Sequence, residues 1–312
     1  MHPSWPLPAE VAALADQLSP LIRFGCSSWT YPGWTGLIYE KPYPATGAGA
    51  KMLAEYARWP LFRTVGIDSF FYTPPSERTL ASYAAALPAD FRCVSKVWDR
   101  ITAHTFANPK ERAHFGQLNP DWLNADLFIS EVLAPMQAHF AEHIGPFVFE
   151  FQTIARTAKI SAADFAMRLD AFFGKLPRGI PYAVELRNQE YLSPEYFAVL
   201  RTHGVAHLFN SWTRMPSIGE QFLLHDAITA DFLIARALLR PGRTYSTAVD
   251  AFSPYDRVQD ENSELRGDLA ALAKAALELR VPAYLIVNNR AEGSAPLTIT
   301  AVARQLVASV GR

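Results

Sequence analysis

Eight short apolar runs, each followed by a segment of helical periodicity, constrain the fold of this chain more than any other feature of its sequence. Several runs are too continuous for an open antiparallel sheet. They are LIRFGC (21–26), FRTVGIDSFFY (62–72), FRCVSKV (91–97), GPFVFEF (145–151), PYAVEL (181–186), VAHLFN (205–210), DFLIARAL (231–238) and PAYLIVNN (282–289). This alternation predicts a single-domain, TIM-like (β/α)8 barrel over residues 21–312. A doubly wound open sheet is the competing fold, but the glycine-rich fingerprint that usually follows its first strand does not occur.

Serines and glycines mark the predicted ends of the helices. Serines stand where an N-cap is expected, and glycines stand where a helix should end. The serines are Ser76, Ser161 and Ser193, and the glycines are Gly145, Gly174 and Gly204. The segment after the sixth strand is short and shows little helical periodicity.

Two connections are longer than the others, residues 98–127 and 240–262. Each follows a predicted strand and therefore belongs to the C-terminal face of the barrel, where TIM barrels carry their active sites. Residues 1–20 are expected to form an N-terminal helical extension. They lack the basic start of a signal peptide, and Asp16 interrupts their apolar segment.

The composition and charge limit the classes of partner. Half of the 312 residues are hydrophobic, which allows a large core, yet no stretch approaches the ~20 apolar residues of a membrane span. A net charge of −1 provides no general attraction to nucleic acid or to anionic lipid. We therefore expect a cytoplasmic protein that binds a small molecule, and the sequence favours no oligomeric state.

The two cysteines, Cys26 and Cys93, lie in the predicted first and third strands. One strand would separate them, so their Cα atoms would be roughly 9–10 Å apart, beyond the ~7 Å limit for a disulfide. We predict two reduced, buried thiols.

Charged residues cluster at the C-terminal ends of the predicted strands. Glu185 and Arg187 are two residues apart in AVELRN and would share the inward face, and Glu150 would point inward from the fourth strand. Other polar residues that end strands are Asp68, Lys96, Asn210, Asn288 and Asn289. Glu185, Lys96, Arg187 and Asp68 are the predicted catalytic residues, and Glu150, Asn210, Asn288 and Asn289 the predicted ligand-binding residues. The alternative is a self-satisfied structural network, because buried charges are usually paired.

The loop after the eighth strand, NNRAEGSAPLT, resembles an anion site. Gly293 and Ser294 precede the last helix, whose free N–H groups suit a phosphate or carboxylate. Charge would come from arginines near in sequence, namely Arg236, Arg240, Arg243 and Arg290. Alternatively, Ser294 only caps the helix and Gly293 only turns the chain.

Aromatic residues surround a Pro-Gly turn after the first strand, in CSSWTYPGW. Trp29, Tyr31 and Trp34 are predicted to form a stacking wall for a sugar ring or a base. Trp29 and Tyr31, together with Tyr72 after the second strand, are the aromatic residues predicted to bind the ligand. The alternative is that these aromatic side chains only fill the barrel mouth.

Six motifs in order resemble the YecE-like family, also called domain of unknown function 72. They are GCSSWTYPGW, DSFFYTPP, SKVWDRIT, AVELRN, LLRPGRTYS and VNNRAEGSAP. The resemblance implies a TIM-like barrel and no established activity. It also implies departures, because family members usually carry Glu at position 66, Gln at 150, and His at 188 and 238, whereas this chain has Gly66, Glu150, Asn188 and Leu238.

Four functions stay open on the sequence alone. The first is an acid–base enzyme, such as a hydrolase, acting on a small anionic substrate with Glu185 as general base or acid. The second, by fold analogy only, is metal-dependent processing of nucleic acid of the DNA-repair kind. The third is a glycosidase with Glu150 and Glu185 as its carboxylate pair, and the fourth is a non-catalytic binding barrel.

No cofactor is predicted. A zinc pair at His139 and His143 is not favoured, because HFAEH lacks the Glu that follows the first His of a zinc-protease motif. The alternative is an oxygen-rich divalent cation site in which His104 and His207 join the carboxylates of the mouth. The carboxylates in question are Asp68, Glu150 and Glu185.

Overall fold

The computed structural model describes residues 5–44, 46–106, 114–240, 242–243 and 245–310. The strands are β1 Ile22–Cys26, β2 Gly66–Ile67, β3 Cys93–Lys96, β4 Ile144–Phe151, β5 Tyr182–Leu186, β6 Ala206–Ser211, β7 Leu233–Ala237 and β8 Ala283–Val287. The helices are α1 Pro8–Asp16, α2 Gly49–Tyr56, α3 Glu77–Ala84, α4 Asp99–Thr102, α5 Ala125–Phe128, α6 Ala134–His139, α7 Ala162–Phe173, α8 Pro194–His203, α9 Ile218–Phe222, α10 Tyr245–Phe252, α11 Ser263–Leu279 and α12 Ala295–Val310. Residues 107–113, 241 and 244 of the two long connections lie outside the described residues.

The eight strands form one parallel sheet in the order β1-β8-β7-β6-β5-β4-β3-β2. The predicted TIM-like barrel is therefore confirmed. Between β1 and β2 the sheet closes by a bridge of Phe24 to Phe62 and a hydrogen bond from Arg63 N to Phe24 O (2.9 Å). We call this junction the seam. The backbones approach so closely there that a Cβ on Gly25 would lie 2.2 Å from Thr64 O.

Alternate strand residues face the inside of the barrel, as a period of two requires. The lower interior is apolar and contains Val94, Val148, Ala183, Ala206, Leu208, Ile234, Tyr284 and Ile286. Two residues further along these strands the inward residues become polar or charged, as at Glu150, Glu185 and Arg236. The barrel thus has an apolar lower interior beneath a polar floor at its C-terminal mouth.

The predicted helix starts are confirmed, because Ser76, Ser161 and Ser193 each accept a hydrogen bond from the backbone N–H three residues later. Gly204 ends α8 with φ +65°, whereas Gly174 follows α7 in right-handed conformation (φ −60°). These two glycines do follow their helices as expected.

The prediction that Gly145 ends a helix is wrong. The helix ends at His139, a 3-10 turn follows, and Gly145 lies inside β4. A Cβ at Gly145 would lie 2.5 Å from Cys93 O. This glycine is therefore required by the close approach of β4 to β3.

The second strand is much shorter than the apolar run that predicted it. Only Gly66–Ile67 pair with β3, and Asp68–Phe71 turn into a 3-10 helix. This turn, rather than an extended strand, places Asp68 and Phe71 at the barrel mouth.

Residues 8–16 form the helix expected in the N-terminal extension, and Val11, Leu14 and Ala15 are buried. Both Cys26 and Cys93 are free and buried, on β1 and β3 as predicted. Among the residues that the structure describes, no helix has the length and apolar character needed to cross a membrane.

Candidate functional site

Glu185 lies at the centre of the polar floor and is fully buried. Arg187 Nη2 lies 2.5 Å from its Oε1, and Arg236 Nη1 lies 2.6 Å from its Oε2. Both arginines also reach Glu150 Oε2, at 2.8 Å and 3.1 Å. Parallel pairing sets Glu150 directly beside Glu185, so the two guanidinium groups bridge neighbouring strands.

Lys96 and Asp68 complete the charge network. Lys96 Nζ lies 2.9 Å from Glu150 Oε2 and 3.8 Å from the centre of the Phe71 ring. Arg236 Nη2 donates to Asp68 Oδ2 at 2.7 Å. Three cations and three carboxylates therefore share one cluster, which satisfies the condition under which buried charges are tolerated.

The cluster fixes the charge of Glu150 and of Arg236. Burial alone would raise the pKa of Glu150, but Arg187, Lys96 and Arg236 together hold it well below its ordinary value. For Arg236, burial would lower the pKa, and the carboxylates of Asp68, Glu185 and Glu150 overcome this and raise it. Glu150 and Arg236 are thus an ionised pair at neutral pH.

A cavity of about 590 Å³ opens above the cluster. Its charged lining residues are Asp68, Lys96, Asp99, Glu150, Arg187, Arg236 and Arg290. Its aromatic lining residues are Tyr31, Phe71, Tyr72 and Trp212. The Arg187 guanidinium lies 4.0 Å from the centre of the Trp212 ring, a cation–π contact that fixes the plane of the arginine. The mouth therefore combines a charged floor with aromatic walls, as small-molecule sites commonly do.

The comparisons with known proteins agree with this architecture. The family model "Protein of unknown function DUF72" matches residues 23–311. The chain belongs to the DUF72 family. This confirms the YecE-like resemblance, since both names denote the same family. No curated protein matches the chain.

Two solved DUF72 family structures show the same fold. One, from Enterococcus faecalis V583, is 17% identical, has a TM-score of 0.61, and aligns over 91% of this chain and 95% of its own. The other, from Thermotoga maritima MSB8, is 18% identical, has a TM-score of 0.56, and aligns over 93% of this chain and 99% of its own. At this identity the likeness shows the barrel alone.

Most of the residues predicted for the site in this DUF72 chain converge on the cavity. Those that line it are Tyr31, Asp68, Tyr72, Lys96, Glu150, Arg187, Arg236 and Asn288. Glu185 lies beneath the floor. Asn210, also buried, donates from Nδ2 to Leu186 O at 3.2 Å. Neither of these two side chains lines the cavity.

The structure does not bring the remaining predicted residues to this cavity. Trp29 is buried against Tyr83 and donates from Nε1 to Gly49 O at 2.8 Å, so it fills space behind the mouth. Asn289 Oδ1 accepts from Ala295 N at 2.8 Å and thereby caps α12.

Gly293 and Ser294 are enclosed at the start of α12. Gly293 has φ +116°, and a Cβ there would lie 2.6 Å from Arg257 O. Ser294 is fully buried. Next to them the buried carboxylate of Glu292 accepts from Arg266 Nε (3.1 Å) and Thr298 Oγ1 (2.7 Å). The chain thus supplies its own anion beside this helix start.

Trp212 and Asp99 are lining residues that sequence reasoning missed. Trp212 follows Asn210 by two residues and so shares its inward parity, a signal that was available. Asp99 opens the short helix α4 directly after β3. Arg290 was expected only as a source of charge for the last helix, and instead it lines the mouth.

The family departures have structural counterparts. Leu238 lines the cavity as an apolar residue. Asn188 holds the loop after β4, because its Oδ1 accepts from Ile154 N (2.8 Å) and its Nδ2 donates to Ile154 O (3.0 Å). An amide at this position therefore orients a loop of the mouth without joining the charged floor.

The alternative metal site required His104 and His207 to join the carboxylates of the mouth, and the structure does not place these two histidines there. His207 faces outward, where Tyr196 Oη lies 2.9 Å from its Nδ1, and burial lowers its pKa to about 3. His104 contacts Trp122 edge-on. Within the described ranges, no three His, Cys, Asp or Glu side chains are grouped so that they could hold a metal ion.

Proposed function

We propose that the mouth of this barrel binds a small molecule with a phosphate or carboxylate group. The observation that carries the proposal is the state of Arg187. Its Nη2 is held by both Glu150 and Glu185, whereas its Nη1 is buried with no partner in the described structure. A buried unpaired donor costs about 1–3 kcal/mol, and an acceptor from a bound anion would remove this cost.

The rest of the lining supports the same ligand class. Lys96 and Arg290 line the cavity on other sides and supply further positive charge. Tyr31, Phe71 and Trp212 offer apolar faces to the uncharged part of the ligand. The ligand would then have one anionic group at the floor and a planar or apolar body against the walls.

Hydrolysis by acid–base chemistry is a second candidate, and Asp68 favours it. Its side chain is 31% exposed and lines the cavity, while Arg236 holds its Oδ2. Asp68 would take a proton from a water whose oxygen attacks the substrate. The leaving group would depart with the bonding electron pair and receive that proton from Asp68. Glu185 is fully enclosed by the arginines and acts in this scheme as a positioning residue.

A glycosidase mechanism is not proposed, because it needs a carboxylic acid that donates a proton. Glu150 is kept ionised by three cations, and Glu185 has no exposed surface. Processing of nucleic acid likewise has no support from the geometry of the mouth.

The test is calorimetric titration with inorganic phosphate, phosphate monoesters and monocarboxylates. Arg290→Gln and Trp212→Leu should each weaken binding about tenfold or more, since each removes a contact worth about 1–3 kcal/mol. Arg304→Gln on the exposed face of α12 is the matched control and should bind as the parent does. Absence of binding by every probe, or equal loss in the control, would overturn the proposal.

The hydrolytic candidate has its own readout. Asp68→Asn should bind the same esters within a few fold but lose their turnover. Turnover that survives in Asp68→Asn would remove Asp68 from the chemistry and leave a binding barrel.

A further inference from the structure

A second cavity lies beside the first at the mouth. It has a volume of about 760 Å³ and is formed by the loops that follow β4, β5 and β6, at residues 153–156, 187–190 and 213–216. Thr153 and Arg187 line both cavities. The two spaces therefore meet at the residue whose Nη1 has no partner.

The cations of the first cavity are mostly ion-paired, whereas two arginines of the second cavity form no close ion pair with the described residues. Arg156 and Arg214 line it, and within the described part of the chain neither lies within 4.0 Å of a carboxylate oxygen. The carboxylates that share the lining already have donors: Glu190 accepts from Asn188 Nδ2 (3.0 Å), and Glu220 accepts from Ser217 N (2.7 Å). The charge of Arg156 helps to lower the pKa of Glu190. Among the described residues of this cavity, however, neither Arg156 nor Arg214 is held in a contact ion pair as Arg187 is.

We propose that the second cavity is a subsite for a second anionic group of the same ligand. The ligand class is then an extended molecule with two phosphate or carboxylate groups. One would be bound in the first cavity near Arg187 and the other near Arg156 and Arg214. This rests on the proposed function, because Arg187 anchors both parts.

The experiment compares phosphate monoesters of alkanols with the bisphosphates of the matching α,ω-alkanediols, over chains of two to six carbons. The corresponding mono- and dicarboxylates form a parallel series, which distinguishes the two kinds of anion. In the parent protein, at least one bisphosphate or dicarboxylate should bind tenfold or more tightly than its single-anion partner.

Arg156→Gln/Arg214→Gln should abolish that advantage and leave the affinity for the monoanion within twofold. Arg168→Gln/Arg304→Gln, which removes two arginines outside both cavities, should preserve the advantage. Both pairs of substitutions are on exposed side chains, so folding should be retained and is checked by circular dichroism.

The outcomes separate the two proposals. If mono- and dianions of every length bind equally, the second subsite is wrong and the anion site near Arg187 stands. If neither series binds, both proposals fail. If the advantage persists in Arg156→Gln/Arg214→Gln, the second anion is bound elsewhere and the assignment of this cavity is overturned.

Discussion

One carboxylate oxygen, Glu150 Oε2, accepts from Lys96, Arg187 and Arg236. Such crowding is stable only while the charges cancel, since a buried charge without a partner is far more costly than a buried pair. The floor of the mouth therefore behaves as a unit, and removing one member affects every other.

Glu150→Gln should lower the free energy of unfolding by about 3–5 kcal/mol at pH 7, because it leaves three cations with two carboxylates. Urea denaturation measures the change. Glu131→Gln, an exposed carboxylate on the helical segment before α6, is the control and should stay within about 0.5 kcal/mol.

The same substitution should change the pH profile. The pKa of Glu150 is lower in the folded than in the unfolded chain, so its contribution is present above the unfolded value of about 4.3 and is lost as the pH falls toward the lower folded value. The parent should lose stability below about pH 5 more steeply than Glu150→Gln. Parallel profiles would mean that the cluster does not hold the charge of Glu150.

At the scale of single residues, the sequence predicted which side chains face inward but not how they pair. The two-residue spacing of Glu185 and Arg187 is enough to place both on one face. It does not reveal that Arg236, which lies three strands after Glu150 along the chain, would share both glutamates. Which charged side chains form ion pairs depends on the register between strands and on side-chain rotamers, and the residue spacing within one strand predicts neither.

At the scale of single elements, the side chains of β6 alternate between the interior of the barrel and its outer surface, which packs against the helices. Asn210 faces the barrel interior, whereas His207 packs outward among Tyr196, Phe197 and Phe209. The expectation that His207 lies near the mouth failed for this reason. His207 lies three positions before Asn210, and an odd spacing along a strand places the two side chains on opposite faces.

His207→Phe should make the protein less sensitive to mild acid. Burial lowers the folded pKa of His207 to about 3, so its contribution is present above the unfolded value of about 6.5 and is lost as the pH falls toward 3. Urea midpoints between pH 7 and 4.5 should therefore fall less in the variant. Its stability at pH 8 should be lower by about 1–3 kcal/mol, because Tyr196 loses its partner.

His225→Asn removes a histidine that is 93% exposed and should leave the profile unchanged. An unchanged slope in His207→Phe would mean that this histidine titrates alike in the folded and unfolded chains.

The seam can be tested through its glycine. Gly25→Ala would force a Cβ against the Thr64 carbonyl and should lower the free energy of unfolding by about 2–4 kcal/mol. Gly267→Ala in α11 is the matched control, since no atom lies within 4 Å of its new Cβ. It should stabilise the protein by about 0.5–1 kcal/mol through helix propensity. Thermal and urea unfolding measure both variants. If Gly25→Ala changed the stability no more unfavourably than Gly267→Ala does, the seam would tolerate a side chain.

For the molecule as a whole, Arg63 joins the N-terminal helix to the barrel. Its guanidinium donates to Ser19 O (2.6 Å) and Ala15 O (3.1 Å), while its own backbone N donates to Phe24 O. The position is next to the seam, so one residue connects the end of α1 with the closure of the sheet.

Arg63→Leu should cost about 2–4 kcal/mol and should selectively speed hydrogen exchange in α1, because the carbonyls at the end of that helix lose their donor. Arg168→Leu, at an exposed position of α7, is the control. Exchange in α1 that is unchanged by Arg63→Leu would show that apolar packing alone holds the helix.

The fold was predictable because the alternation of an apolar run with a helical segment occurs eight times, and each repeat indicates the same architecture. The mouth has no such redundancy. Trp29 and Trp212 look alike as aromatics after strands, yet one is buried behind the mouth and the other lines it. The loop after β8 was expected to bind an outside anion. Instead the Glu292 carboxylate lies beside it and accepts from Arg266 and Thr298, and Asn289 Oδ1 accepts from Ala295 N.

The seam lies below one side of the entrance. Tyr31 follows β1 and Asp68 follows β2, and both line the first cavity. The other neighbouring strands are tied by ladders, whereas this pair is joined by a bridge and single contacts. We therefore expect local opening of the barrel wall to begin on this side, between Tyr31 and Asp68.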